Sequence, residues 1–220
     1  MPFFNHRNNL IHAGIAVALS AINIFIVITL DPPNAAQGIF GNIFYIHVPV
    51  SWTAFLLYFM VMISGIMFLT KKESIWDHRG LAFAEVGTLF MFLILTTGPI
   101  WAKPAWGHFW PWEPRLTTSL ILFLIFLGYF MLREFGGNTE QVSRYGAVVG
   151  ILAFLDVPLI FFSVKFWLPE MQSHPQVGSY FDSGNLFPTF LVIFSLITFI
   201  IISTLMVRFR VSILKQNNIN

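Results

Sequence analysis

Apolar and polar positions divide this chain into six long greasy runs, Ile11–Leu30, Val48–Leu69, Leu81–Ile100, Leu116–Leu132, Gly146–Val164 and Leu186–Val207, separated by short polar stretches. Each run is close to the roughly 20 residues that a helix needs to cross the hydrocarbon of a bilayer. The runs are continuously apolar instead of alternating, and an open sheet could not satisfy its edges in lipid, so the pattern predicts an all-α, polytopic membrane protein with six transmembrane helices. The first run is too long for a signal-peptide core and has no small-residue cleavage site after it, so it reads as a retained span. With no linker, repeat or low-complexity tract, residues 1–220 read as a single membrane domain.

Charge gives the six spans a direction. An even number of spans places both termini on one side. Arg7, Lys71, Lys72, Arg79, Arg133, Arg144, Arg208, Arg210 and Lys215 fall on that side, against only Lys103, Arg115 and Lys165 on the other. The positive-inside rule makes the nine-residue side cytoplasmic, both termini included. The connections Asp31–His47, Trp101–Arg115 and Lys165–Asn185 are then outside. Composition agrees with lipid as the solvent: 56% of the residues are hydrophobic and 10% charged, against roughly 25% charged in soluble domains. The net charge of +2 is scattered through short loops, so it describes orientation in a membrane and not a nucleic-acid surface. The chain has no cysteine, which excludes thiolate metal sites, disulfides and thiol nucleophiles. It also has no phosphate loop, so any ATP hydrolysis belongs to another subunit.

The outer connection Trp101–Arg115 carries four of the seven tryptophans in fifteen residues. A single interfacial tryptophan is ordinary, because its amphipathic ring suits the headgroup level. Four in one short loop, with Pro104, Pro111 and Pro114 fixing the backbone, read instead as a binding shelf. Pro104 is expected to open a short amphipathic helix that sets Trp106, Phe109 and Trp110 on one face, with Pro111 and Pro114 ending it. Lys103, Arg115 and the lone carboxylate Glu113 flank the shelf. A matching ligand is flat, large, apolar across its faces and anionic at its edge, because indoles stack on a macrocycle while Arg and Lys pair with carboxylates. Heme has those properties.

Iron in a porphyrin needs axial ligands, and without cysteine the first choice is neutral imidazole. His6, His12 and His78 fall on or near the cytoplasmic side, which leaves His47, His108 and His174. His47 opens the second span, with Pro49 expected at the helix start and Trp52 a little over one turn deeper. His174 follows Phe166-Trp167 in the last outer connection. His108 lies within the shelf, bracketed by Gly107 and Phe109. A lone interfacial histidine is usually just a hydrogen-bonded side chain, but His47 and His174 flank the shelf from two different segments, and they are the candidate iron ligands.

Trp106-Gly107-x-x-Trp110-x-Trp112-Glu113-x-Arg115, His47-Val-Pro-x-x-Trp52 and the six-helix frame together resemble the heme exporter protein C family of the bacterial system I cytochrome c maturation pathway, over nearly the whole chain. Where the family motif carries Asp this chain has Glu113, and Leu168–Ser173 intervenes between Trp167 and His174 where the family's second histidine follows its aromatics closely. The resemblance implies a multi-pass protein of the bacterial inner membrane that holds heme b, as transported ligand, at the periplasmic face. His47 and His174 would be the iron ligands, with Trp52, Trp101, Trp106, Trp110, Trp112, Glu113 and Arg115 lining the site. It implies delivery to a membrane-anchored heme chaperone, with an ABC ATPase subunit, a second permease subunit and a small single-span protein as partners. Membrane lipid surrounds it, and no nucleic acid is involved. No bond in a substrate is made by such a chain, so it is expected not to be an enzyme.

Asp156, midway along the fifth span, is the main rival signal. An ionised side chain there costs roughly 2.5–3.5 kcal/mol on insertion scales, so it should be neutral, paired or facing a cavity. Pro158 is expected to kink the helix beside it. A small-solute or ion permease using Asp156 and Glu85 is the alternative, but it predicts paired broken helices in inverted halves, which the sequence lacks. A redox enzyme would need heme ligands at two depths, and the inner His78 has no partner for that.

Overall fold

A computed structural model describes residues 6–31, 35–166 and 186–217. Among them no strand occurs, and the chain forms α1 (His6–Thr29), a 3-10 segment (Ala35–Ile43), α2 (Phe44–Lys71), α3 (Ser74–Trp106), α4 (Pro114–Phe135), α5 (Thr139–Phe154), α6 (Asp156–Phe166) and α7 (Leu186–Asn217). Six helical stretches are long and apolar enough to cross a membrane: Asn9–Thr29, Gln37–Lys71, Ser74–Trp106, Pro114–Phe135, Thr139–Ser163 and Leu186–Gln216. The six-helix all-α expectation holds, but most of the helices overrun the apolar runs. A helix satisfies its own backbone wherever it lies, so hydropathy marks the lipid-immersed stretch and not the helix ends.

Two prolines, Pro49 and Pro104, sit elsewhere than expected, and a third, Pro158, interrupts its span as expected. Pro49 is the sixth residue of α2 instead of its first turn, because the 3-10 segment runs directly into α2 at Phe44. It cannot donate to the Tyr45 carbonyl one turn back. Pro104 does not open a new helix. It lies inside the last turn of α3, which continues to Trp106 and stops at Gly107 in the left-handed region (φ 84°). Trp106 therefore shares no helical face with Phe109 or Trp110, which lie in non-helical chain before α4. In the fifth span the break falls at Leu155, three residues before Pro158. Pro158 cannot supply the N–H that the Phe154 carbonyl would accept, so α5 ends at Phe154 and α6 starts with Pro158 in its tolerant first turn.

α2 is the central element and packs on α3, α5 and α7. α4 packs on α6 and α5, and α1 lies against α7. Small residues let the α2–α5 pair close up: a Cβ on Gly65 would come within 2.9 Å of the Ala147 carbonyl, and one on Gly150 within 2.7 Å of a Val61 methyl. In lipid, where apolar surface alone drives no association, such close approach supplies the van der Waals contact that holds helices together. Tyr58 stacks on Phe126 with ring centres 4.2 Å apart at the middle of the bundle.

The two ends of the bundle differ in chemistry. At the end holding the α2–α3 turn, Arg133 donates to both Asp77 carboxylate oxygens at 2.7 Å, Ser143 adds a bond to the same carboxylate, and Arg210 grips Glu85 with two contacts of 2.5 and 2.8 Å. These pairs join α3 to α4, α5 and α7. The opposite end is aromatic.

Candidate functional site

At the aromatic end, α2, the last turns of α3, the start of α4 and α6 enclose a cleft of about 100 Å³. His47, Ser51 and Trp52 face it from α2; Gly98, Trp101 and Trp106 from α3; Trp110 from the connection; Arg115 and Ser119 from α4; and Ile160 and Phe161 from α6.

The aromatic wall is assembled by helix overrun. Because α3 continues past the lipid-immersed run, Trp101 and Trp106 are carried on it, with ring centres 5.9 Å apart. Trp101 is buried and sits 5.9 Å from the His47 ring and 6.0 Å from Phe44, distances typical of attractive aromatic contacts. Its indole nitrogen donates to Gln37 Oε1 at 3.0 Å, which ties the 3-10 segment to α3. Gly107 closes α3: its N–H donates to the Lys103 carbonyl at 2.9 Å, and the Lys103 ammonium donates to the Gly107 carbonyl at 2.8 Å. The chain then returns through Trp110 and Trp112, ring centres 5.9 Å apart, to the N-terminus of α4.

His47 is buried in the first turns of α2. Its Nδ1 lies 2.8 Å from Thr97 Oγ1, and that hydroxyl donates to the Leu93 carbonyl at 2.7 Å. The imidazole edge at Cε1 rests over Gly98, where an added Cβ would come within 3.2 Å of it.

Two donors on the cleft wall are buried without a partner among the described residues: the Trp110 indole N–H and the Arg115 Nε–H. Arg115 also donates from a terminal nitrogen to the Phe161 carbonyl at 3.5 Å, and the buried Glu113 carboxylate lies within electrostatic reach of it. Leaving a buried donor unpaired costs about 1–3 kcal/mol. Two such donors converging on one cleft suit an acceptor-rich, anionic group.

Of the residues singled out in the sequence, the cleft brings together His47, Trp52, Trp101, Trp106, Trp110 and Arg115. Trp112 is 72% exposed, touches the Trp110 ring and is not among the residues that line the cleft. Glu113 is fully buried as the residue preceding α4 and does not line the cleft. His108 and Lys103 are exposed at the connection. His174 and Trp167 lie outside the described residues. Among the described residues no group of three or more His, Asp or Glu side chains gathers to hold a metal. Thr97, Gly98, Gln37 and the α6 wall were not anticipated. A signal was present for the first two, because Thr96-Thr97-Gly98 is a polar and flexible interruption in an otherwise apolar third run.

The rival carboxylates are placed differently. Glu85 is held by Arg210 at the far end of the bundle. Asp156 opens α6 with Oδ2 buried and unpaired, but it does not line the cleft.

The chain matches the family described as "Heme exporter protein C" over residues 3–220. It belongs to the heme exporter protein C family. Among relatives, the "Heme exporter protein C" of Haemophilus influenzae is 30% identical over 212 residues, which covers 93% of this chain and 84% of that protein. The "Heme exporter protein C" of Bradyrhizobium diazoefficiens is 34% identical over 155 residues, 70% of this chain and 59% of that protein. A cytochrome c biosynthesis ccmC-like mitochondrial protein of Marchantia polymorpha is 34% identical over 197 residues, 87% of this chain and 84% of that protein. In this member of the heme exporter protein C family, six of the nine singled-out site residues meet at one cleft.

Proposed function

We propose that this chain, as one membrane domain, holds heme b as cargo at the periplasmic face of a bacterial inner membrane and passes it to a membrane-anchored heme chaperone for cytochrome c maturation. The nine-to-three imbalance of basic residues supports the orientation: it puts the ion-paired end and both termini in the cytoplasm and the aromatic cleft outside. In this reading His47 supplies one axial ligand to iron and His174 the other. Trp101 and Trp106 lie against the macrocycle, while Arg115 and Trp110 meet a propionate. Trp52 and Trp112 extend the aromatic surface, and Glu113 offsets the charge of Arg115. The chain makes and breaks no bond in its cargo, and the energy for release comes from an ABC ATPase subunit working with a second permease and a small single-span protein.

One observation carries the reading: an imidazole, an indole wall and two unpaired buried donors converge on a single cleft. Indoles provide the apolar face, imidazole the iron donor, and the orphaned N–H groups want a carboxylate. Purified protein titrated with heme should develop a Soret band characteristic of imidazole ligation, and His47→Ala should weaken it about tenfold in affinity. An identical spectrum and affinity in His47→Ala would overturn the assignment of His47. The permease alternative, with Asp156 in the pathway, is less favoured, because Asp156 lines neither the aromatic cleft nor the cavity beside Glu85, and Glu85 is engaged by Arg210.

A further inference from the structure

We infer that Thr97 is a positioning residue for the iron ligand: through its hydroxyl it fixes the proton of His47 on Nδ1 and so leaves the lone pair on Nε2. The inference rests on the heme reading above for its consequence, but not for its geometry.

A hydroxyl has one proton. That of Thr97 is directed to the Leu93 carbonyl one turn back on α3, at 2.7 Å, the usual bond of a helical threonine. Thr97 Oγ1 can therefore only accept from His47 Nδ1, 2.8 Å away, so Nδ1 carries the proton. The lone pair is then on Nε2, the nitrogen on the far side of the ring. A free imidazole divides its proton between the two nitrogens. Here the relay from Leu93 O through Thr97 Oγ1 to His47 Nδ1 selects one form before any ligand arrives. The adjacent Gly98 lets the ring edge approach α3 closely enough for the bond to form, since a Cβ there would stand 3.2 Å from His47 Cε1. Metal-binding histidines commonly donate their second N–H to an oxygen that fixes ring orientation and raises ligand basicity, and loss of that partner typically weakens metal affinity about 10–100-fold. Thr97 fills that place on an element different from the one that bears the histidine.

The test uses the full-length protein with three variants, Thr97→Val, Thr97→Ser and Thr97→Ala. In the heme-free protein, selectively ¹⁵N-labelled histidine reports the His47 tautomer directly: wild type and Thr97→Ser should show protonated Nδ1 alone, and Thr97→Val a mixture. With heme added, Thr97→Val should bind about 10–100-fold more weakly, with a raised iron reduction potential because the ligand is less basic, and Thr97→Ser should restore both. If Thr97→Val does not accumulate, Thr97→Ala is read the same way. A single unchanged tautomer in Thr97→Val, or lost affinity that Thr97→Ser fails to restore, would overturn the assignment to the hydroxyl. Failure of the heme reading looks different: His47→Ala would then leave the heme spectrum untouched while the tautomer measurement on wild type still came out as expected.

Discussion

The indole nitrogen of Trp101 and the side-chain carbonyl of Gln37 lie 3.0 Å apart, so a tryptophan at the end of α3 is pinned to the segment that leads into α2. This bond registers the aromatic wall against the helix that carries His47. Replacing Gln37 with Leu removes the acceptor and leaves the buried indole N–H unsatisfied, an effect of about 1–3 kcal/mol. Gln37→Leu should lower the thermal midpoint of the solubilised protein and shift tryptophan emission, whereas Gln37→Glu should not. Equal midpoints for Gln37→Leu and wild type would mean that the bond contributes nothing to the fold.

Gly98 offers a way to separate binding from stability. Alanine there gains roughly 0.8–1 kcal/mol in helix propensity, and among the described residues its Cβ meets only the His47 ring, at 3.2 Å from Cε1. The ring must give way by a few tenths of an ångström. Gly98→Ala should therefore leave thermal stability unchanged or higher while heme affinity falls about tenfold, roughly 1.4 kcal/mol. Parallel loss of both would place the effect in packing instead of ligand position.

Arg115 and Trp110 make the opposite trade. The Trp110 indole N–H and the Arg115 Nε–H have no partner among the described residues, so deleting the Trp110 donor deprives nothing else of a bond, whereas replacing Arg115 also removes its 3.5 Å bond to the Phe161 carbonyl and its charge beside the buried Glu113. Trp110→Phe deletes the donor and keeps an aromatic ring. It should leave the empty protein as stable or up to about 1–2 kcal/mol more stable, while weakening heme capture severalfold. Arg115→Met should weaken capture further and raise its salt tolerance. Unaltered heme binding in both variants, measured by titration, would show that no anionic group is held there.

At the other end, Asp77 accepts two bonds from Arg133 and one from Ser143, with both ionic side chains only 12–13% exposed. Removing one partner of such a pair strands a charge in a poorly solvated place, an effect of about 3–5 kcal/mol when fully buried and less here. Asp77→Ala should lower the thermal midpoint strongly without changing the affinity of the folded fraction for heme. Asp77→Ala combined with Arg133→Met should recover much of the loss. A double variant as unstable as the single one would locate the effect in packing.

The number and class of the spans could be read from the sequence because lipid leaves few options: continuous apolar runs of this length have to be helices. The ends of those helices could not, since capping and proline geometry decide them and hydropathy does not. α3 continues through Pro99 and Pro104 to Gly107, which is why Trp101 belongs to a helix and not to a loop. The site was legible where the sequence concentrates unusual residues, as in the tryptophan cluster and His47. It was not legible in its supports. Thr97 and Gly98 touch His47 from fifty residues away, and nothing in local spacing shows that α3 would present them there. The motif does not show how its own members are exposed: Glu113, the N-cap residue of α4, is buried, while its neighbour Trp112 is 72% exposed. His174, the expected second ligand, lies outside the described residues.

The cleft forms where two partnerships of helices meet, α2 with α3 and α4 with α6, and the short α6 that provides Ile160 and Phe161 is severed from α5 at Leu155. In the proposed reading, heme held at the junction would touch both partnerships and act as mortar between them. By linkage, a loaded carrier is a more cohesive one, in proportion to the logarithm of cargo concentration over its dissociation constant. Surrendering the cargo then means giving up that cohesion, so the tightness of the grip and the readiness to let go are set by the same seam.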